Sequence, residues 1–155
     1  MAVRGQREDF DLAAELKALT AGDHRIGGLA SFVGLVRDMA DLSAGAAAPV
    51  TAMTLEHYPG MTEKMLARIE DEACRRWHLS ASLIIHRYGR LEAGDQIVLV
   101  ACAAPHRGDA LDACHFLIDW LKTEAPFWKL EETPDGDGHW VDARDSDTAA
   151  TAKWR

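Results

Sequence analysis

The spacing of hydrophobic and polar positions changes several times along this chain, and each change predicts an element. From Asp11 onward, Leu12, Leu16 and Leu19 recur at helical spacing, which predicts a short amphipathic helix capped by Asp9 or Asp11. Gly22 and the paired Gly27 and Gly28 close that unit. The run GGLASFVGLVRD is rich in Phe, Val and Leu and predicts a buried strand over 29–37, with Gly34 as a candidate bulge. Small and turn residues without periodicity over 38–50 predict a mobile loop, and a second strand is expected over 51–57. Pro59 and Gly60 break that strand.

Met61, Met65, Ile69, Ala73 and Trp77 then recur every four residues, the clearest helical pattern in the chain. LSASLIIHRYG and QIVLVACAA read as two strands of a hairpin joined by RLEAGD, whose Gly94 suits a turn. Leu111, Cys114, Leu117, Ile118 and Leu121 predict a third helix, ended by Pro126. FWKLEE and HWVDAR read as a last strand pair around TPDGDG, and the stretch from Asp145 reads as disordered. Strict strand–helix–strand alternation is missing, which predicts an α+β fold with a mixed, largely antiparallel sheet and about three helices. A single domain is expected over 1–144, with an acidic tail over 145–155.

Composition narrows the function classes. At 155 residues, 48% hydrophobic and 27% charged, the chain is long enough to build one packed core without disulfides or a structural metal. Cys74, Cys102 and Cys114 are an odd set with no CxxC spacing, which supports neither a disulfide framework nor a cysteine-based zinc site. No apolar run suits a signal peptide or a membrane span, so a reducing, cytoplasmic setting is expected. The net charge of −8 disfavours nucleic acid and anionic membranes as partners. A site for a small anion must therefore be a local basic cluster.

Cationic groups at element boundaries are the candidates, because side chains at strand and helix ends can converge on one pocket. They are Arg37 after the first long strand, His106 and Arg107 before the third helix, Lys122 in that helix's last turn, and Lys129 after Phe127 and Trp128. At about 100° per residue, Lys122 falls roughly 20° from Leu111, which predicts a place on the helix's apolar face. It would be buried, open onto a cleft, or snorkel from a core edge. His106 and Arg107 sit in PHRGDA, at a strand-to-helix junction where free N–H groups and the helix dipole favour phosphate or carboxylate; His106 as a helix cap is the competing reading. His57 and His86 could meet across a sheet but lack ligand spacing, so no metal or other cofactor is inferred. The cysteines adjoin no activating cluster and read as inert.

Six ordered segments carry a resemblance: FVGLVRD, LEHYPGMTEKM, IHRYGRLEAGD, PHRGDA, LKTEAPFWK and WVDAR. Over about residues 10–144 the chain resembles the large, catalytic subunit of molybdopterin synthase. The resemblance implies an α+β fold and a small ubiquitin-like sulfur carrier as partner, whose C-terminal Gly-Gly bears a thiocarboxylate. It also implies a homodimer at the centre of a heterotetramer, and a reaction that installs two dithiolene sulfurs on cyclic pyranopterin monophosphate. By the same resemblance, Lys122 and Lys129 are the catalytic lysines. Arg37, His106, Arg107 and Lys129 bind substrate together with Leu35, Val36, Leu130 and Glu131, while Arg144 reaches the neighbouring subunit's site. Phe32, Phe127 and Trp128 shape the pocket or the carrier's channel. Leu35 and Leu130 depart from the pattern, standing where many relatives carry a basic residue. The competing function class is a non-catalytic module that binds a ubiquitin-like partner or an anionic metabolite; retention of both Lys122 and Lys129 argues against it.

Overall fold

A computed structural model of the chain describes residues 2–37, 52–124, 127–132, 138–141 and 145–155, with side chains over 2–37, 52–123 and 149–155. The expected loop over 38–50 and turn over 133–137 lie outside the described residues. In chain order the elements are β1 (Ala2–Gln6), α1 (Leu12–Thr20), β2 (Gly28–Leu35), β3 (Ala52–His57), α2 (Met61–Arg76) and β4 (Ala81–Arg87). There follow β5 (Gly89–Glu92), β6 (Gln96–Ala104), α3 (Arg107–Glu124), β7 (Phe127–Glu132), β8 (Gly138–Val141) and α4 (Asp145–Ala152). The α+β class is as expected, and the strands divide into two four-stranded sheets, ordered β1-β4-β6-β2 and β5-β3-β7-β8. Every pairing is antiparallel except β1 with β4.

The first sheet is sandwiched, which explains why LIIH and IVLVACAA read as unbroken apolar runs. Leu83, Ile85, Leu99 and Ala101 point to α1, where Leu12, Leu16 and Leu19 meet them beside Phe10. Ile84, Val98, Val100, Cys102 and Ala104 belong to the main core, with Leu66, Ile69 and Ala73 of α2 and Ala113, Phe116, Leu117 and Leu121 of α3. Asp11 caps α1 by accepting the Ala14 N–H at 3.0 Å, and the Glu63 carboxylate accepts the Gly60 N–H at 2.7 Å at the start of α2. The buried face of α2 is Thr62, Leu66, Ile69, Glu70 and Ala73. Met61, expected in that stripe, is exposed.

The predicted hairpin forms between β4 and β6, and its connection carries β5, which leaves for the second sheet and pairs with β3. Gly34 does sit at an irregularity: the β2–β6 register shifts between Gly34 and Leu35. At the C-terminus the structure corrects the sequence reading. The expected disordered stretch carries α4, with Thr151 buried and Trp154 set edge-on to Trp77 and Phe116. Its composition is polar, and the burial of Thr151 and Trp154 is not readable from that composition. Among the described residues, no helix is long and apolar enough to cross a membrane.

Candidate functional site

Residues 105–107 form the tight junction between β6 and α3. The His106 carbonyl accepts the Ala110 N–H at 3.3 Å, so His106 occupies the cap position by its backbone, while the side chains of His106 and Arg107 are exposed. Two glycines permit this arrangement. The Gly27 N–H donates to the Ala104 carbonyl at 3.0 Å, and a Cβ on Gly27 would lie 2.2 Å from the Pro105 carbonyl oxygen. A Cβ on Gly28 would lie 3.0 Å from the Arg107 Cα. Glycine's missing side chain is thus what lets the start of β2 lie against the PHRG junction. This supporting role was not read from the sequence, where the pair counted only as punctuation.

The β2–β6 register fixes where the other cations stand. Gly28 is opposite Ala104, and Leu35 is opposite Gln96. At about 3.3 Å per residue, the strand therefore carries Arg37 roughly 25–30 Å from the junction that holds His106 and Arg107. Val36 is buried and pinned by exchange with the β5–β6 turn: its N–H donates to Asp95 O at 3.0 Å, and its carbonyl accepts the Gly94 N–H at 2.8 Å. Arg37, the next residue, is exposed at that end.

Helix α3 runs back along β6. Arg107 lies against Gly28, and the Cys114 thiol, seven residues on, donates to the Val100 carbonyl at 3.7 Å. Lys122 lies eight residues further along, about 12 Å at helical rise, level with the start of β6 and so at the Arg37 end. The side chain of Lys122 is half-buried. Leu111, used as its phase reference, turns out to be exposed, as is His115, while Ile118 is half-buried. Lys122 therefore belongs to the stripe that borders the core, and not to the fully buried face of Ala113, Cys114, Leu117 and Leu121.

One copy of the chain thus separates its candidate cations into two groups. Arg37 and Lys122 stand at one end of the first sheet, and His106 and Arg107 stand at the other. Lys129 follows on β7, where its backbone is opposite Leu55 on one side and Val141 on the other. Phe127, Trp128, Leu130 and Glu131 lie on the same strand. Their side chains and that of Lys129, like Arg144 altogether, lie outside what the structure describes.

Strand β2 is the edge of its sheet and exposes Leu29, Phe32 and Leu35, the last to 55%. Exposed leucine and phenylalanine on an edge strand mark a surface that another chain can cover.

Other groups singled out in the sequence have structural partners. His57 stacks on Tyr88 with ring centroids 3.8 Å apart and faces Glu63 at 3.6 Å, while the His86 ring meets the Arg87 carbonyl at 2.8 Å. The two histidines lie in different sheets. Among the described residues no group of three or more His, Cys, Asp or Glu could hold a metal ion. Burial pushes all three thiols up, Cys114 to about 11, so none is a ready thiolate at neutral pH.

Comparison with known proteins gives concordant matches. The family model described as MoaE protein matches residues 5–124. The molybdopterin synthase catalytic subunit of Ralstonia nicotianae is 56% identical over 152 residues, covering 98% of this chain and 83% of that protein. That of Pseudomonas aeruginosa is 51% identical, covering 99% of each chain. A solved structure described as a molybdopterin biosynthesis MoaE protein from Burkholderia ambifaria superposes with a TM-score of 0.82 at 56% identity, covering 99% of this chain and 97% of that one.

Proposed function

Because the chain belongs to the MoaE protein family, we propose that it is the catalytic subunit of a molybdopterin synthase and works as a sulfurtransferase in molybdenum cofactor biosynthesis. Its substrates are cyclic pyranopterin monophosphate and the thiocarboxylated C-terminus of a small ubiquitin-like carrier. The observation that carries the mechanistic reading is the separation of Arg37 and Lys122 from His106 and Arg107 along a strand with an exposed apolar edge. Two copies meeting along β2 bring one group from each into a common site, which gives a phosphate the several cations it needs.

In each half-reaction the carrier's thiocarboxylate sulfur forms a bond to a side-chain carbon of the pterin while a carbon–oxygen bond at that carbon breaks, the oxygen leaving with the phosphate or as water, and the carrier stays attached as a thioester. Water then adds to the thioester carbonyl, and collapse of the tetrahedral oxyanion breaks the carbonyl–sulfur bond. The carrier leaves as a carboxylate and the sulfur stays on the pterin. His106 and Arg107, beside the free N–H groups of α3, suit the phosphate. A half-buried ammonium at Lys122 suits the oxyanion or proton delivery to it. The buried, protonated cysteines fit a reaction whose sulfur comes entirely from the carrier.

The test is single-turnover sulfur transfer with purified chain, thiocarboxylated carrier and pyranopterin monophosphate. Dithiolene product is expected with wild type, and a drop on the order of 10² or more with folded Lys122→Ala. Near-normal turnover by Lys122→Ala would remove this residue from the mechanism.

A further inference from the structure

Strand β2 reaches the Arg37 end of the first sheet one residue out of step with β6. Gly34 is opposite Val98, but the next residue, Leu35, is opposite Gln96, so Ile97 is passed over. Gly34 permits that slip, because a Cβ there would lie 2.7 Å from the Val98 Cγ1 and 3.2 Å from the Ile97 Cγ2. Beyond the slip Leu35 is exposed and Val36 is buried in the main core, level with the turn between β5 and β6.

That turn is braced from within and from the body of the sheet. Gly94 holds φ at 91°, a conformation that favours glycine, and the Asp95 N–H donates to the Glu92 carbonyl at 3.0 Å. The Asp95 carboxylate in turn accepts the Glu92 N–H at 2.9 Å. The Gln96 carboxamide donates to the Asp9 carboxylate at 2.8 Å and to the Phe10 carbonyl at 2.9 Å, while the Gln96 carbonyl accepts from the Arg87 guanidinium at 2.8 Å. The Asp95 carbonyl and the Gly94 N–H take up both backbone polar groups of Val36. Val36 is thus held by two hydrogen bonds and a buried side chain, and Arg37 is the next residue.

We propose that Asp95 is a positioning residue for sulfur transfer: its carboxylate fixes the turn that grips Val36, and so fixes where the Arg37 guanidinium stands in the substrate site. This rests on the reading of Arg37 as a substrate-binding cation. The carboxylate accepts a backbone N–H inside its own turn and acts through Val36, not by touching substrate. A hydrogen bond from a backbone N–H to a carboxylate is charge-assisted and stronger than a neutral one. Without it the Glu92 N–H loses an acceptor and the turn regains backbone freedom. That freedom passes through the Val36 clamp to the base of the Arg37 side chain, and a small misplacement of a charged contact weakens substrate binding.

The test is steady-state sulfur transfer by the assembled complex, with thiocarboxylated carrier in excess and pyranopterin monophosphate varied. It compares Asp95→Ala, Asp95→Asn, Arg37→Ala and the double variant Arg37→Ala/Asp95→Ala. Asp95→Ala should raise KM about fivefold and change kcat less than about twofold. Asp95→Asn, whose amide oxygen can accept the same N–H, should recover most of that loss. The double variant should be no worse than Arg37→Ala, since displacing a guanidinium matters only while the guanidinium is present. Hydrogen exchange at the Val36 N–H should quicken about tenfold in Asp95→Ala, with the β4–β6 amides unchanged. The proposal is overturned by a normal KM in Asp95→Ala, by unchanged exchange at Val36, by an Asp95→Asn chain as impaired as Asp95→Ala, or by a double variant whose KM multiplies the two single effects. Each of these leaves Arg37 in the site. A normal KM in Arg37→Ala is the separate failure: it removes Arg37 from the site and the proposal with it.

Discussion

At the scale of single residues, Lys122 is set by its surroundings. It stands in the last turn of α3, half-buried on the stripe between core and solvent. If it only snorkelled, Lys122→Ala would cost at most about 1 kcal/mol and leave turnover intact. The mechanism predicts the loss of turnover already stated, with unfolding and carrier binding little changed. Lys122→Arg separates charge from proton transfer, since a guanidinium stays charged at every accessible pH. Little rescue is expected, read as kcat against KM. The cysteines supply the complementary prediction: a folded variant with Cys74, Cys102 and Cys114 all changed to Ser or Ala should keep turning over when given thiocarboxylated carrier. Loss of activity in that variant would require sulfur to pass through this chain.

Glu70 is a residue whose effect belongs to stability. It is 4% exposed and accepts the Ser82 hydroxyl at 2.7 Å, and burial raises its carboxyl above the ordinary 4.5. The folded chain therefore holds this proton more tightly than the unfolded chain does. Stability contributed by the protonated form is present at low pH and is lost as pH rises through the raised value. Thermal unfolding followed from pH 4.5 upward should show that decline in wild type and a flatter profile in Glu70→Gln. Parallel profiles would mean the carboxyl titrates alike in both states.

At the scale of elements, the close approach of β2 to the β6–α3 junction makes Gly27 a sensitive position. Gly27→Ala forces its Cβ toward a backbone carbonyl that cannot swing away, with an expected loss of about 1–3 kcal/mol in denaturant unfolding and weaker phosphate-ester binding. An unchanged midpoint would show that the junction can relax. Helix α4 is the other element with a specific consequence. The Thr151 hydroxyl donates to Asp119 O at 3.2 Å and lies 2.9 Å from the Thr123 hydroxyl, beside Lys122, while the Trp154 indole N–H donates to the Asp119 carboxylate at 2.7 Å. α4 thus braces the turn that carries Lys122. Thr151→Val should lower kcat more than it raises KM, and an effect on KM alone would contradict the brace.

These elements also show how far the sequence could be read. Helical periodicity made α1, α2 and α3 legible and continuous apolar runs did the same for β4 and β6, while the sequence narrowed the α1 cap to Asp9 or Asp11 and marked Gly34 as a candidate bulge. β1 was missed, because its alternation is weak and its pairing with β4 is nonlocal. α4 was missed because its residues are polar; among the described residues, Thr151 and Trp154 are buried or packed against the core. For the site, the residue types and motifs were legible but their convergence was not. Arg37, His106, Arg107 and Lys122 do stand at element ends, whereas Lys129 lies within β7, and which ends share a side of the sheet depends on strand register. The register separates Arg37 from His106.

At the scale of the whole molecule, an exposed apolar strand edge and a divided set of cations have one economical explanation, a site completed by two copies of the chain. That claim is tested most directly by mixing two variants, Lys122→Ala and Arg107→Ala, each inactive alone, and measuring sulfur transfer after subunit exchange. Half the dimers would then be mixed, and each mixed dimer would have one intact site and one doubly defective site. The account predicts recovery of about a quarter of wild-type activity. No recovery, with exchange demonstrated by mass-tagged chains, would contradict a shared site and place all the working residues in one copy.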